Sequence, residues 1–343
     1  MSAGGSGAAG NPGKDPGSGE DRLIARLFEP LARHPGALGL KDDAAFLDLP
    51  PGHQLVLTKD ALVAGVHFFA DDPPASIARK AMRVNLSDLA AKGAVPLGVL
   101  LAIAIPPDMS ADALEDFARG LGEDADRYGA PLLGGDTVRT PGPFTVSITA
   151  LGSVPMGEMV RRTSAPPGAA IVVTGTIGDA ALGLQLRLDP GRPGFAALDG
   201  AQRAFLAERY LHPRPRLALA ASLRAHALAA MDVSDGLVGD LAKLLAASHV
   251  AGAIDAARVP LSDAARAAIT AEPALLETAL TGGDDYELLA VMADAHLDAF
   301  HARATAAGIG AAVIGRTYPG QGLVVRDEGG APIAFARSSF SHF

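Results

Sequence analysis

The sequence predicts an α/β chain of two domains, and three observations carry that expectation. At 343 residues the chain is long for one hydrophobic core, and an apolar content of 49% is enough to fill two. Strand-like runs alternate with helical patterns along most of its length. Between Pro155 and Gly168 the chain is rich in Pro, Gly and Arg with little apolar periodicity, which places the domain connection there. The expected division is 21–154 and 155–343, preceded by a flexible Gly- and Ser-rich tail over 1–20 that has no apolar core of the signal-peptide kind.

The elements follow in order. His53 to Asp60 reads as a strand ending at an acid, and Pro74 to Ala94 as a helix with Ile77, Ala81, Val84 and Leu89 on a buried side. Val95 to Ile105 is strand-like, and Ser110 caps a helix that reaches Tyr128. Leu132-Leu133 runs into Gly134-Gly135-Asp136, and Phe144 to Gly152 completes the first half as a strand. The second half opens with a strand over Ala169 to Gly175 and a helix over Gly178 to Arg187. Further helices are expected over Ala201 to Tyr210 and Pro215 to His226. Leu228 to Asp232 is a strand and Ser234 to Ala247 a helix. Later strands near Gly252 to Asp255, Tyr286 to Met292, Ala311 to Gly315 and Leu323 to Val325 alternate with helices.

Composition excludes several functions. Net charge is −9 without a dense Lys/Arg block, so the electrostatic footprint of a nucleic-acid binder is missing. The absence of cysteine removes disulfides, thiolate zinc sites and cysteine nucleophiles, and fits a reducing cytoplasm. The longest apolar stretch, Ala94 to Pro107, is shorter than the roughly 20 residues that span a bilayer and is broken by Pro96, so no membrane anchor is expected. Gly13-Lys14 imitates a P-loop, but Ala8 and Asp15 stand where Gly and Ser/Thr are required.

Chemistry concentrates in acids beside small residues: Asp42-Asp43, Asp60, Ser87-Asp88, Gly134-Gly135-Asp136, Asp232-Val233-Ser234-Asp235 and Gly283-Asp284-Asp285. Loops that brought such carboxylates together would force some to protonate unless divalent cations sat between them. With oxygen donors, no thiol and few histidines, the expected ion is Mg²⁺, which usually carries phosphate. Each segment also fits an ordinary role. Ser87-Asp88 could be a solvated pair, Gly135-Asp136 a turn, Ser234 or Asp235 a helix N-cap, His67 a structural histidine and Arg161-Arg162 a solvated basic pair. The Gly134-Gly135 pair is read as permitting positive φ and close approach of backbone to phosphate.

In combination and order, the segments DDAAFL at 42, TKDALVAGVHF at 58, KAMRVNLSDLAAKGA at 80, LLGGDTVR at 132, MDVSDGL at 231 and GGDDYELL at 282 resemble the thiamine-monophosphate kinases. These belong to the superfamily of the aminoimidazole-ribonucleotide and selenophosphate synthetases. The resemblance covers about residue 21 to Phe343. It implies a two-domain PurM-like architecture, with an N-terminal α/β domain that dimerises through a shared β-barrel and a C-terminal α/β sandwich. It also implies ATP-dependent conversion of thiamine monophosphate to thiamine diphosphate at a site between the domains, in a homodimer, with several Mg²⁺ ions. Matched motif by motif, it makes Asp43, Thr58, Lys59, Asp60, Asp88, Asp136, Asp232 and Asp235 the metal set. Gly135, Asp136, Arg162 and Ser234 would meet ATP, and His67, Asp284 and Phe343 the thiamine phosphate. Three residues depart from the family pattern: Lys41 replaces a glycine, Lys59 a small hydroxyl residue, and Asp284 the commoner glutamate. The alternatives are another ATP-using synthetase of the superfamily, though selenophosphate synthetases typically rely on a cysteine that this chain lacks, and a non-catalytic nucleotide-binding relative.

Overall fold

A computed structural model describes residues 19–336 and residue 339. Phe343 and residues 1–18 of the tail lie outside that range. The first half runs α1 (Gly19–Leu27), β1 (His53–Val63), α2 (Pro74–Ala91), β2 (Val95–Ile105), α3 (Ala111–Tyr128), β3 (Leu132–Arg139) and β4 (Thr145–Pro155). Its four strands form an open sheet of order β1-β4-β2-β3, antiparallel except for the β2–β3 pair. Alternation along β1 turns Val56 and Leu62 into the core while Leu55 and Leu57 stand exposed, so α2 and α3 cover one face and the other stays open. Edge-to-face contacts among Phe68, Phe144 and Phe117 (6.2 and 5.5 Å between centroids) fill the core beneath α3. That helix starts on the Ser110 hydroxyl, which accepts the Ala113 N–H, and stops at Gly129 with φ +63°.

The second half runs β5 (Ala170–Thr174), α4 (Asp179–Leu188), α5 (Pro193–Ala196), α6 (Gly200–Leu211), α7 (Ala220–His226), β6 (Ala227–Asp232), α8 (Leu237–Ala247), β7 (Ala251–Asp255), α9 (Asp263–Ala271), α10 (Leu275–Thr281), β8 (Leu288–Met292), α11 (Asp294–Ala306), β9 (Ala311–Tyr318) and β10 (Gly322–Arg326). The six strands order as β10-β7-β9-β5-β8-β6, with only the β10–β7 pair parallel. β5 is buried on both faces. Ile171 and Val173 pack toward α8, and Ala170 and Val172 toward α7 and α11, so the sheet lies between two helical layers.

α2 belongs to both halves. Its N-terminal turns fill the first core, whereas Ala90 and Ala91 enter the second. At its end the Lys92 ammonium donates to the Ala230 carbonyl (2.9 Å). No helix among the described residues is long and apolar enough to cross a membrane.

Several boundaries depart from the sequence reading. Asp60 and Asp136 lie inside β1 and β3 rather than beyond them: Asp136 stands on the uncovered face, which accepts polar residues, and Asp60 on the α2 face, where Asn85 accepts its N–H. α8 begins at Leu237, three residues later than expected, since Gly236 at φ +115° is not helical. Tyr286, with φ +51°, keeps β8 from starting before Leu288. The Pro215–His226 helix is a 3₁₀ turn over Leu217–Leu219 followed by α7.

Candidate active site

β1 presents two chemistries on its two faces. Thr58 and Asp60 share the face that packs on α2, and there the Thr58 hydroxyl donates to Asp88 while Asn85 Oδ1 accepts the Asp60 N–H (3.0 Å). Asn85 in turn donates to the Ala81 carbonyl (3.0 Å), so a fully buried amide ties strand to helix. This explains the polar interruption of an apolar helix. Ser87 is fully buried and Asp88 half-buried, so the pair is not a solvated one.

The second domain contributes two loops joined backbone to backbone. Asp284 N–H donates to Ser234 O (2.9 Å), Tyr286 N–H to Val233 O (2.8 Å) and Val233 N–H to Glu287 O (2.8 Å). Neither Ser234 nor Asp235 caps α8. Their own N–H groups are instead accepted by the buried Asp240 carboxylate (2.9 and 2.8 Å), which shapes the loop and pairs with Lys243. Asp285 points away from the cleft and accepts the N–H groups of Gly178 (2.6 Å) and Ala180 (3.3 Å) at the start of α4. Of the two adjacent acids, only Asp284 faces the opening.

These parts enclose an inter-domain cleft of about 490 Å³, lined by Asp60, His67, Asp88, Asp232, Ser234, Asp235 and Asp284. A second chamber of about 400 Å³ shares Asp88, Asp232, Ser234 and Asp235 and continues to Lys92, Arg161 and Arg162. The acids thus stand between a basic end and a His67/Asp284 end. Burial, then the neighbouring Asp88 and Asp235 charges, push the Asp60 carboxyl up to about 6. Burial and Asp88 likewise hold Asp232 well above the usual carboxylate range.

Asp43, Lys59, Gly135 and Asp136 collect elsewhere, in a cavity of about 700 Å³ on the uncovered face of the first sheet. Lys59 is separated from Thr58 and Asp60 by strand alternation and stands with Asp43 and Asp136 instead. The glycines here serve packing, against the reading of a positive-φ turn. Neither Gly134 nor Gly135 has positive φ, and a Cβ at Gly135 would lie 1.8 Å from the Leu101 carbonyl oxygen of β2. Among the described residues, no three His, Asp or Glu side chains already stand together as a metal-binding group.

Comparison with known proteins agrees with this architecture. Residues 41–154 match the model of the AIR synthase related protein N-terminal domain, and 166–328 that of its C-terminal domain. A thiamine-monophosphate kinase of Caulobacter vibrioides is 45% identical over 304 residues, covering 88% of this chain and 84% of its own. The chain belongs to the thiamine-monophosphate kinase family. Among solved structures, the thiamine-monophosphate kinase of Stenotrophomonas maltophilia superposes with a TM-score of 0.79 at 42% identity, covering 89% of this chain and 94% of that one. AaThiL complexed with AMPPCP and TMP superposes at 0.75 with 27% identity, covering 94% of each.

Within this thiamine-monophosphate kinase fold, sequence reasoning missed three basic groups of the cleft. Lys80 sits inside α2 and Lys92 caps its C-terminus, where a helical pattern reads them as surface positions. Lys243 lies one helical turn past Asp240 on α8, and an i,i+3 pair is the only signal that points to it.

Proposed function

We propose that this protein transfers the γ-phosphoryl group of ATP to thiamine monophosphate, giving thiamine diphosphate. The observation that carries the proposal is the convergence of Asp60 and Asp88 from the first domain with Asp232 and Asp235 from the second on one cleft. The membership of the thiamine-monophosphate kinase family and the likeness to AaThiL complexed with AMPPCP and TMP support it.

The cleft chemistry fits Mg²⁺. Four carboxylates with a hydroxyl, Thr58, are a hard oxygen donor set; burial and the neighbouring acids raise Asp60 and Asp232, and Lys243 pairs with Asp235 at 2.6 Å. Asp60, Asp88, Asp232 and Asp235 with Thr58 would hold ions in the cleft, and Asp43 and Asp136, beside Lys59, in the sheet-face cavity. When bound, Mg²⁺ neutralises the phosphates against these carboxylates. The chain's own groups then orient the reactants. Arg162 and Ser234 take the nucleotide side and His67 and Asp284 the thiamine side, while Gly135 stands apart in the sheet-face cavity. Phosphoryl transfer needs alignment and charge neutralisation, and the acceptor phosphate is itself the nucleophile, so direct in-line transfer requires no covalent enzyme intermediate.

The uncovered sheet face supports a homodimer built on a shared barrel. Leu55, Leu57, Val95, Leu100, Val138 and Met156 are exposed on its strands and at the end of β4, and β1 and β3 are open edges. In this reading 21–154 binds ATP and metal and dimerises, 155–343 completes the cleft, and the setting is cytoplasmic. Purified protein incubated with ATP, Mg²⁺ and thiamine monophosphate is expected to form thiamine diphosphate, lose activity with a chelator and regain it with Mg²⁺. Nucleotide binding without product would overturn the proposal in favour of a non-catalytic relative, and recovery with Zn²⁺ alone would contradict the donor-set argument.

A further inference from the structure

Lys80 is 2% exposed, in the middle of α2, at the end of the cleft that holds His67 and Asp284. A buried ammonium persists only where its protons are taken up. Here all three directions are accounted for. The ammonium donates to Asp284 Oδ2 at 2.8 Å and to the His67 carbonyl at 3.0 Å, and it lies 4.1 Å from the centroid of the Tyr210 ring. One nitrogen therefore joins α2, the loop after β1, α6 and a loop 204 positions away in sequence.

The groups it holds are constrained from their other sides as well. Asp284 has φ +75°, a left-handed backbone that an aspartate keeps only when its surroundings determine it, and its N–H is fixed on Ser234. The His67 ring accepts the Val63 N–H at Nδ1 (3.0 Å), which puts its proton on Nε2 in the neutral form. Behind Lys80, Tyr210 meets Phe69 edge-on at 6.0 Å, and the Arg187 guanidinium covers Phe69 at 4.1 Å while pairing with Asp71 and Asp72. The second oxygen of Asp284 has no partner among the described residues and lines the cleft.

We propose that Lys80 is a positioning residue of the thiamine end: it locks one oxygen of Asp284 and the His67 loop, and so presents the other Asp284 oxygen to the cationic ring system of the acceptor substrate. This rests on the thiamine-monophosphate reading above. A lysine spent on three protein groups does not itself bind phosphate, and a plain inter-domain clamp would weaken both ligands alike. The proposal instead requires an effect confined to one of them.

Titration calorimetry with thiamine monophosphate and, separately, with Mg²⁺·AMPPCP reads this out, alongside thermal melting. Lys80→Gln keeps a donor but loses the charge, and it is expected to weaken thiamine monophosphate about tenfold or more with the nucleotide changed by about twofold or less. Asp284→Asn should do the same, and Lys80→Arg should recover most of the loss. In Lys80→Gln/Asp284→Asn the two losses should not multiply, because both break one contact. Equal weakening of both ligands, multiplicative losses, or wild-type affinity in Lys80→Gln would overturn the proposal. If Lys80→Gln fails to fold, Asp284→Asn alone carries the test, and equal weakening of both ligands or wild-type affinity for thiamine monophosphate in that variant overturns the proposal. Failure of the unsubstituted protein to bind thiamine monophosphate would instead sink the functional reading itself.

Discussion

Asp60 shows how a single carboxyl reports on the whole cleft. Its folded form titrates at about 6, above the ordinary carboxylate value, because burial and two neighbouring acids disfavour the charge. A raised pKa means that folding favours the protonated form. That contribution to stability is complete below the ordinary value of 3.8 and is lost as pH rises through about 6. Metal-free protein should therefore melt at lower temperature as pH rises over that interval, and Mg²⁺ with AMPPCP should raise the melting temperature most at neutral pH. A melting temperature independent of pH and metal would show that the acids do not repel. Asp88→Asn and Asp136→Asn are expected to fold but to lose roughly two orders of magnitude or more in kcat/KM, read by steady-state kinetics. Near-wild-type activity in both would leave Asp88 as a structural partner of Thr58 and Asp136 as a surface carboxylate, neither a metal ligand. The acids were legible in the sequence because carboxylates beside small residues interrupt apolar runs. Lys80 was not, since two of its three partners, Asp284 and Tyr210, lie across a domain boundary.

The two acidic loops of the second domain act as one element. A Cβ at Gly236 would lie 2.5 Å from the Thr281 carbonyl oxygen, and one at Gly283 2.4 Å from that of Ser234, so each loop has room for the other only where a side chain is missing. Gly236 also stands at φ +115°. Gly236→Ala is expected to destabilise the protein by about 2 kcal/mol, measured by denaturant titration, and to lower activity beyond the stability loss. A stable, fully active variant would mean the loops can separate without consequence. Periodicity read the regular elements here with small boundary errors, but it read glycines as ligand-facing where they admit backbone. A sequence states which residue lacks a side chain and not what fills the space. Gly135 against Leu101 is the same lesson in the first sheet.

At the scale of the molecule, the alternation of strands and helices made the two α/β halves legible, while strand order, set by long-range pairing, was not. The open sheet face predicts self-association: Leu57, 61% exposed, replaced by Glu should yield a monomer by sedimentation, with activity reduced. A Leu57→Glu variant with unaltered mass would show that another surface pairs, or none. The helix that joins the halves carries a further constraint. Lys80, Arg83, Asn85, Asp88 and Lys92 leave α2 toward Asp284, Asp124, Asp60, Thr58 and Ala230, partners distributed around its axis. One residue inserted in its middle would turn every later side chain by about 100° and shift it about 1.5 Å. Both hydrophobic cores and the cleft would lose register together. α2 is thus an indexed shaft: length variation can enter this protein at its loops, whereas its central helix admits substitutions only.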